Sequence, residues 1–314
     1  MPATHPPEDR HRGAGVRIPT ALPRRPRLGL TLARAFLAGG ADLSARGVMA
    51  TWGVVPEYFY GAHRDERLDV LEPRPVSAHS HADPGSVVFI HGGGWVVGRK
   101  EIYLEPLVGL ADRGHRVFNL EYPLAPERPH PFMLRSLLKA LRWIGRNHPD
   151  TGPVHLIGDS AGGNLAMMLA ILISNPDLLD SYDPGVAYDG PAIRSLVSIY
   201  GVLDRLSWVE DGFPFARSYL RAYGGPGALA PQVTQATAIT PLDIESDVVL
   251  PPTLLAVGTK DHLARSSRLA AARFGAVSDS VTLVEYSGAR HGFYTAGPRR
   301  TRLRADVAAF LAEH

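Results

Sequence analysis

A serine near the middle of the chain lies between two glycines, in the run Gly158-Asp159-Ser160-Ala161-Gly162. A strand-like apolar run precedes it and a helix-forming run follows it, which predicts a strand-turn-helix junction. In that context the Gly-x-Ser-x-Gly pattern is typical of a nucleophile elbow, a sharp turn that exposes the serine hydroxyl. We therefore interpret Ser160 as a nucleophile. Larger side chains at Gly158 or Gly162 are expected to disrupt the turn, because strand and helix must approach closely there.

A nucleophilic serine needs a base and an acid, which in elbow enzymes follow it in the sequence, at the ends of later strands. Asp261 and His291 follow two predicted strands, the second of them at residues 281–286. We interpret His291 as the group that takes the serine proton and Asp261 as the acid that holds the imidazole. Asp204 is the competing acid, because it also follows a predicted strand, at 194–200. Asp261 taken alone also has the sequence context of a helix N-cap.

Three consecutive glycines, Gly92, Gly93 and Gly94, follow a predicted buried strand at residues 86–90. Acyl transfer builds negative charge on a carbonyl oxygen, and backbone N–H groups reach that oxygen only where no side chains intervene. The glycines therefore predict an oxyanion hole, with Ala161 as a further donor. We expect N–H donors from Gly93, Gly94 and Ala161 and include Gly92 in the oxyanion hole.

Composition indicates a globular protein and excludes several functions. The chain has 314 residues, of which 45% are hydrophobic and 20% charged. The formal net charge is +2 with both signs interspersed, so no nucleic-acid partner is expected. No cysteine is present, which excludes disulfides, thiolate metal sites and cysteine nucleophiles. An apolar run near the beginning is interrupted by Arg34 and is too short to span a membrane.

A possible metal motif lies in a polar loop. His79, His81 and Asp83 have the spacing of the first ligands of a His-x-His-x-Asp-His set, but Pro84 occupies the place of the final histidine. We interpret these residues as ordinary loop residues and expect no metal. A metal-dependent hydrolase built on them is the alternative.

Strand and helix patterns alternate along most of the chain. Strands are predicted at residues 66–73, 86–90, 116–120, 154–157, 194–200, 253–258 and 281–286, and helices at 101–113, 132–147, 262–274 and 299–313. This alternation predicts an α/β fold with a mostly parallel sheet covered by helices on both faces.

Two segments stand outside this alternation. Residues 1–27 are rich in proline and arginine and predict a flexible segment, followed by one α/β domain at 28–314. Residues 203–250 are too long for a simple crossover and predict a lid or cap. We expect four aromatic residues to bind an apolar acyl or aryl group: Trp95, Trp208, Phe213 and Phe215.

The combined motifs resemble the hormone-sensitive-lipase-like branch of the α/β-hydrolase family, which includes bacterial carboxylesterases and arylacetamide-deacetylase-like enzymes. The likeness covers roughly residues 50–314 and rests on the run from His91 to Trp95, Tyr122 with residues 124–127, the elbow at 158–164, Asp261 and His291-Gly292-Phe293. It implies the α/β-hydrolase fold with about eight strands, no cofactor, and a cap from residues 28–55 and 203–250.

The resemblance also implies a serine hydrolase that cleaves small carboxylic esters of short or medium acyl chain, or aryl esters, through an acyl-serine intermediate. We expect a bacterial, cytoplasmic protein without a membrane span, and a homodimer stays open as its assembly. Pro123 departs from the branch, which usually has arginine there. Residues 58–61 with 68–70 also resemble arylformamidases and feruloyl esterases, so formamide or amide hydrolysis stays open. A noncatalytic ligand-binding module on the same scaffold stays open as well.

Overall fold

The structure is a computed structural model that describes residues 47–48, 52–53, 55–74, 84–234, 237–278 and 280–314. The predicted flexible segment, most of the 28–55 part of the predicted cap, and His79, His81 and Asp83 lie outside the described residues. Within the described ranges, no helix is both long enough and apolar enough to cross a bilayer.

In the described chain, eight strands form one sheet. They are β1 Glu57–Phe59, β2 Arg67–Leu71, β3 Ser86–Ile90, β4 Val117–Leu120, β5 Val154–Asp159, β6 Ile193–Ile199, β7 Thr253–Gly258 and β8 Val281–Tyr286. Their spatial order is β1-β2-β4-β3-β5-β6-β7-β8. β2 runs antiparallel to both β1 and β4, and every other pair is parallel. The prediction of a mostly parallel sheet of about eight strands is confirmed.

The α-helices cover both faces of this sheet. They are α1 Leu104–Ala111, α2 Phe132–Asn147, α3 Ala161–Ser174, α4 Pro176–Tyr182, α5 Arg205–Glu210, α6 Ala216–Gly224, α7 Ala264–Gly275 and α8 Arg300–Glu313. Short 3₁₀ helices occupy Lys100–Tyr103, Pro149–Thr151, Pro226–Leu229 and Pro241–Asp243.

The central strands are apolar at consecutive positions because both of their faces are buried. In β3, Val88 and Ile90 pack in the core that contains α2 and α3, whereas Val87 and Phe89 pack in the core that contains α1 and α8. A parallel strand covered by helices on both sides has this pattern. Parallel strands also end at the same sheet edge, so the loops after β3, β5, β7 and β8 meet there.

Outside the insertion at 203–250, one strand and one α-helix of the described chain were not predicted. β1 is an edge strand of three exposed residues, so it lacks the apolar run that marks a buried strand. α4 is a seven-residue helix within the stretch between the elbow helix and β6. The helix predicted at 101–113 instead begins with a 3₁₀ turn and ends at Ala111.

Candidate active site

Ser160 lies at the tight turn between β5 and α3, with φ 52° and ψ −118°. A positive φ is rare for a residue with a side chain and marks local strain. A Cβ atom on Gly158 would lie 2.2 Å from the carbonyl oxygen of Gly162, and one on Gly162 would lie 2.0 Å from that of Ile90. The two glycines are therefore required by close backbone contacts.

Ser160, His291 and Asp261 form one continuous hydrogen-bonded chain. Ser160 Oγ lies 3.0 Å from His291 Nε2, and His291 Nδ1 lies 2.9 Å from Asp261 Oδ2. Because an ionised carboxylate only accepts hydrogen bonds, Nδ1 carries the proton, and in the neutral ring Nε2 is then free to accept from the serine. Asp261 also accepts from the backbone N–H of Leu263 at 2.9 Å, which holds the carboxylate in place.

Asp204 has a different environment. Its carboxylate accepts hydrogen bonds from the N–H groups of Leu206 and Ser207, which makes it the N-cap of α5. The Asp261 carboxylate instead contacts His291. Of the two acids considered from the sequence, the structure therefore brings Asp261 to the histidine.

The glycine loop after β3 is fixed by a buried carboxylate. Asp159 Oδ1 accepts a hydrogen bond of 2.7 Å from the N–H of Gly92, and its Oδ2 accepts one of 3.1 Å from Tyr103 Oη. Burial raises the pKa of Asp159, although the hydrogen bond from Tyr103 opposes that shift. The expectation that Gly92 contributes to an oxyanion hole is corrected, because its N–H already donates to the Asp159 carboxylate.

The N–H groups of Gly93, Gly94 and Ala161 have no acceptor among the described residues. Gly93 has φ 121°, and a Cβ atom there would lie 2.0 Å from the carbonyl oxygen of Val97. Gly94 has φ 58°, and its Cβ would meet the ring of Tyr219 at 2.8 Å. Both positions therefore favour glycine, which leaves backbone donors beside the serine hydroxyl.

A cavity of about 250 Å³ opens at Ser160. It is lined by Gly93, Gly94, Val97, Tyr103, Asp159, Ser160, Trp208, Phe213, Tyr219, His291, Gly292 and Thr295. Of the four aromatic residues predicted to bind substrate, Trp208 and Phe213 line it. The ring of Phe213 also packs edge-on against the ring of His291, with centroids 5.2 Å apart.

The other two aromatic predictions require correction. Trp95 is completely buried, stacks on Tyr223 and donates to Asn164 Oδ1 at 3.3 Å. It therefore packs in the core and does not line the cavity. Phe215 is 72% exposed and does not line the cavity. Tyr219, one turn further along α6, lines the cavity instead. The aromatic residues of 203–250 indicated a pocket, but the sequence did not show which of their rings face it.

Larger grooves lie elsewhere, about 710 Å³ beside α1 and α8 and about 700 Å³ beside α2, and neither is lined by Ser160 or His291. No group of three or more histidine, aspartate or glutamate side chains suited to a metal occurs in the described ranges.

A family model described as alpha/beta hydrolase fold matches residues 87–295. The chain belongs to this family. Carboxylesterase NlhH of Mycobacterium tuberculosis is 37% identical to it over 92 residues, which is 27% of this chain and 28% of that relative. Versiconal hemiacetal acetate esterase stcI of Emericella nidulans is 29% identical over 248 residues, 72% of this chain and 80% of the relative.

Among solved structures, a hyperthermophilic esterase from Pyrobaculum calidifontis aligns with a TM-score of 0.69 at 24% identity, covering 93% of this chain and 98% of that one. The structural likeness shows the α/β-hydrolase fold. Together with the esterase relatives, the family match confirms the resemblance to the hormone-sensitive-lipase-like branch. The alignment with carboxylesterase NlhH spans only 28% of the length of that relative.

The close backbone contact at the elbow predicts that Gly162→Ala destabilises the fold. Its Cβ would collide with the carbonyl oxygens of Ile90 and His91, and overpacking of this kind costs about 1–3 kcal/mol. Urea unfolding should show the loss. Gly109→Ala in α1 is the matched control, because its Cβ meets only Arg113 at 3.6 Å and should leave stability unchanged or improved. Equal stability of the two variants would contradict the contact.

The two acids predict opposite outcomes for the same substitution. Asp261→Asn should lower kcat for an ester by about 10⁴-fold, because the amide favours the wrong histidine tautomer. Asp204→Asn should keep both activity and stability, because asparagine is an equally good N-cap. Steady-state kinetics and thermal unfolding of both variants test this. A large kcat loss in Asp204→Asn with normal Asp261→Asn activity would reverse the assignment.

Proposed function

We propose that this protein is a carboxylesterase-type serine hydrolase that acts through an acyl-serine intermediate. The observation that carries the proposal is the hydrogen-bonded chain from Ser160 Oγ to His291 and Asp261. It lies at the same cavity as backbone N–H groups that have no acceptor in the described part of the chain. The esterase names of the relatives support ester hydrolysis. The catalytic roles below belong to the proposal.

The first half of the proposed reaction forms the acyl-enzyme. His291 Nε2 takes the proton of Ser160 as the serine oxygen attacks the carbonyl carbon of the ester. The negative charge on the carbonyl oxygen is met by the N–H groups of Gly93, Gly94 and Ala161. Asp261 stabilises the imidazolium. Collapse of the intermediate breaks the bond to the alcohol oxygen, which receives the proton from His291.

The second half repeats these steps with water. His291 Nε2 takes a proton from water, the hydroxide oxygen attacks the acyl carbon, and the same N–H groups meet the oxyanion. The proton then returns to Ser160 as the carboxylic acid leaves. The products are one acid and one alcohol for each ester and each water consumed.

The substrate is proposed to be small and mainly apolar. The cavity volume of about 250 Å³ lies below the range of roughly 300–1,000 Å³ usual for drug-sized ligands, and Trp208, Phe213 and Tyr219 provide apolar walls. All three rings come from residues 203–250. We therefore propose that this segment, with residues 28–55, acts as the cap of the single α/β domain.

Formamide or amide hydrolysis would use the same three side chains as ester hydrolysis. Only the preference for one substrate class over the other distinguishes these activities. An aryl formamide should be turned over more slowly than the matched aryl ester. A cytoplasmic location and a homodimeric assembly complete the proposal, with a small ester as the partner molecule.

Ser160→Ala should abolish turnover of p-nitrophenyl butyrate while the thermal unfolding midpoint stays unchanged. An organophosphate should label the native protein at Ser160, as seen by mass spectrometry of peptides. A noncatalytic ligand-binding protein would not react, because its serine would lack an activating base. A chelator should leave the rate unchanged; loss of activity to chelator together with active Ser160→Ala would favour the metal-dependent alternative instead.

The cavity wall predicts that Tyr219→Ala shifts the acyl-chain preference. Removing this ring enlarges the cavity, so the ratio of kcat/KM for p-nitrophenyl octanoate to that for the acetate should rise about tenfold or more. Phe215→Ala is the control on the same segment, because that ring lies outside the cavity and the ratio should not change. Equal shifts in both variants would show that the cavity wall does not set the preference.

A further inference from the structure

A buried histidine lies directly behind the glycine loop. His91 has no solvent exposure, and its ring stacks on Tyr122 with centroids 4.4 Å apart. Its Nδ1 lies 2.8 Å from the carbonyl oxygen of Gly92, and its Nε2 lies 3.0 Å from Glu121 Oε1. Neither ring nitrogen belongs to the proton transfers described above. The role of this histidine is therefore open.

The two contacts limit how the ring is protonated. A carbonyl oxygen can only accept, so Nδ1 must carry a proton and donate it to Gly92. An ionised Glu121 also only accepts, which requires a second proton on Nε2. The other oxygen of Glu121 accepts the backbone N–H of Lys100 at 3.1 Å, so this carboxylate is held between two N–H donors when Nε2 carries its proton. The geometry is that of a buried imidazolium paired with a carboxylate.

The Gly92 carbonyl belongs to the same peptide group as the N–H of Gly93. In a trans peptide these two groups point in opposite directions. Because His91 holds the oxygen on the buried side, the N–H of Gly93 points away from the ring, and Gly93 lines the cavity beside Ser160. A charged donor on the oxygen also polarises the peptide, which makes its N–H a stronger donor.

We propose that His91 is a positioning residue that works as an imidazolium: Glu121 keeps it charged, and it orients and polarises the Gly92–Gly93 peptide toward the reacting oxygen. This inference rests on the proposed function, because it assigns the Gly93 N–H to an oxyanion. The buried pair strengthens that donor without touching substrate.

The surroundings of His91 agree with a charged ring. Burial alone lowers the pKa of His91, but the Glu121 carboxylate, the Gly92 carbonyl and the nearby Asp159 together raise it above its usual value. Glu121 and Asp159 are the charged groups that face the ring, with Tyr122 and Tyr103 on its sides. A raised pKa means that the charge is present at lower pH and is lost as the pH rises through it.

Two measurements test the inference. In the wild-type protein labelled with ¹⁵N-histidine, both ring nitrogens of His91 should carry protons at neutral pH; His91→Asn identifies the signals. Glu121→Gln can still bond to Nε2 but removes the charge, so kcat for a p-nitrophenyl ester should fall about tenfold while KM changes little, since charged hydrogen bonds are the stronger ones. A decrease of kcat at high pH that is caused by loss of the His91 charge should be absent in Glu121→Gln.

Glu101→Gln is the matched control. Glu101 forms ion pairs with Lys100 and Arg67, whereas the polar partners of the His91 ring are Gly92 and Glu121. Its kcat should stay at the wild-type value. The proposal is overturned by an unprotonated Nε2 in the wild type, by an unchanged kcat in Glu121→Gln, or by equal kcat losses in the two variants. The NMR result does not depend on turnover, so it stands apart from the Ser160→Ala test of the proposed function.

Discussion

The site depends on one backbone contact, between the first turn of α3 and the end of β3. A Cβ atom at Gly162 would lie 2.0 Å from the carbonyl oxygen of Ile90, so the helix that follows the serine rests directly on the strand that leads into the glycine loop. Parallel pairing of β3 with β5 brings these two loops to the same edge of the sheet. The distance between the serine hydroxyl and the loop N–H groups is therefore set by main-chain packing.

Buried polar side chains then hold the irregular backbone around that contact. Asn164 in α3 accepts from Trp95 and donates to the carbonyl oxygens of Val202 and Ile239. All its hydrogen-bonding groups except one lone pair are used, which is the condition under which a buried amide stabilises a fold. One side chain thus links the glycine loop, the helix after the serine, the loop after β6 and the segment at 203–250.

Much of the architecture follows from the sequence because burial controls it. The bounds predicted for β3 and β7 match the structure, since burial on both faces demands continuous apolar runs. The bounds predicted for β8 match as well, although this strand lies at the edge of the sheet and is partly exposed. Strand order then brings Asp261 and His291 to Ser160, since loops after parallel strands share an edge. What the sequence did not reveal depends on tertiary contacts. No local pattern shows that Asp159 reaches across to Gly92.

The pocket shows the same limit. Phe215 and Tyr219 are both aromatic and lie within one helical turn, yet only Tyr219 faces the cavity. Which ring points inward is set by where α6 begins, and Phe215, in a left-handed conformation, marks that start. Hydrophobicity alone predicts that an aromatic wall exists, whereas its members follow from the rotation of a short helix on the core.

The serine and the histidine lie in parts of the sheet that differ in burial. Ser160 follows β5, which is buried along its whole length, whereas His291 follows β8, the edge strand with several partly exposed residues. Edge strands open at lower free energy than central strands. Local opening of β8 would move His291 away from Ser160 while the other strands stay paired. Heating would then inactivate the protein at a lower temperature than it unfolds the whole sheet.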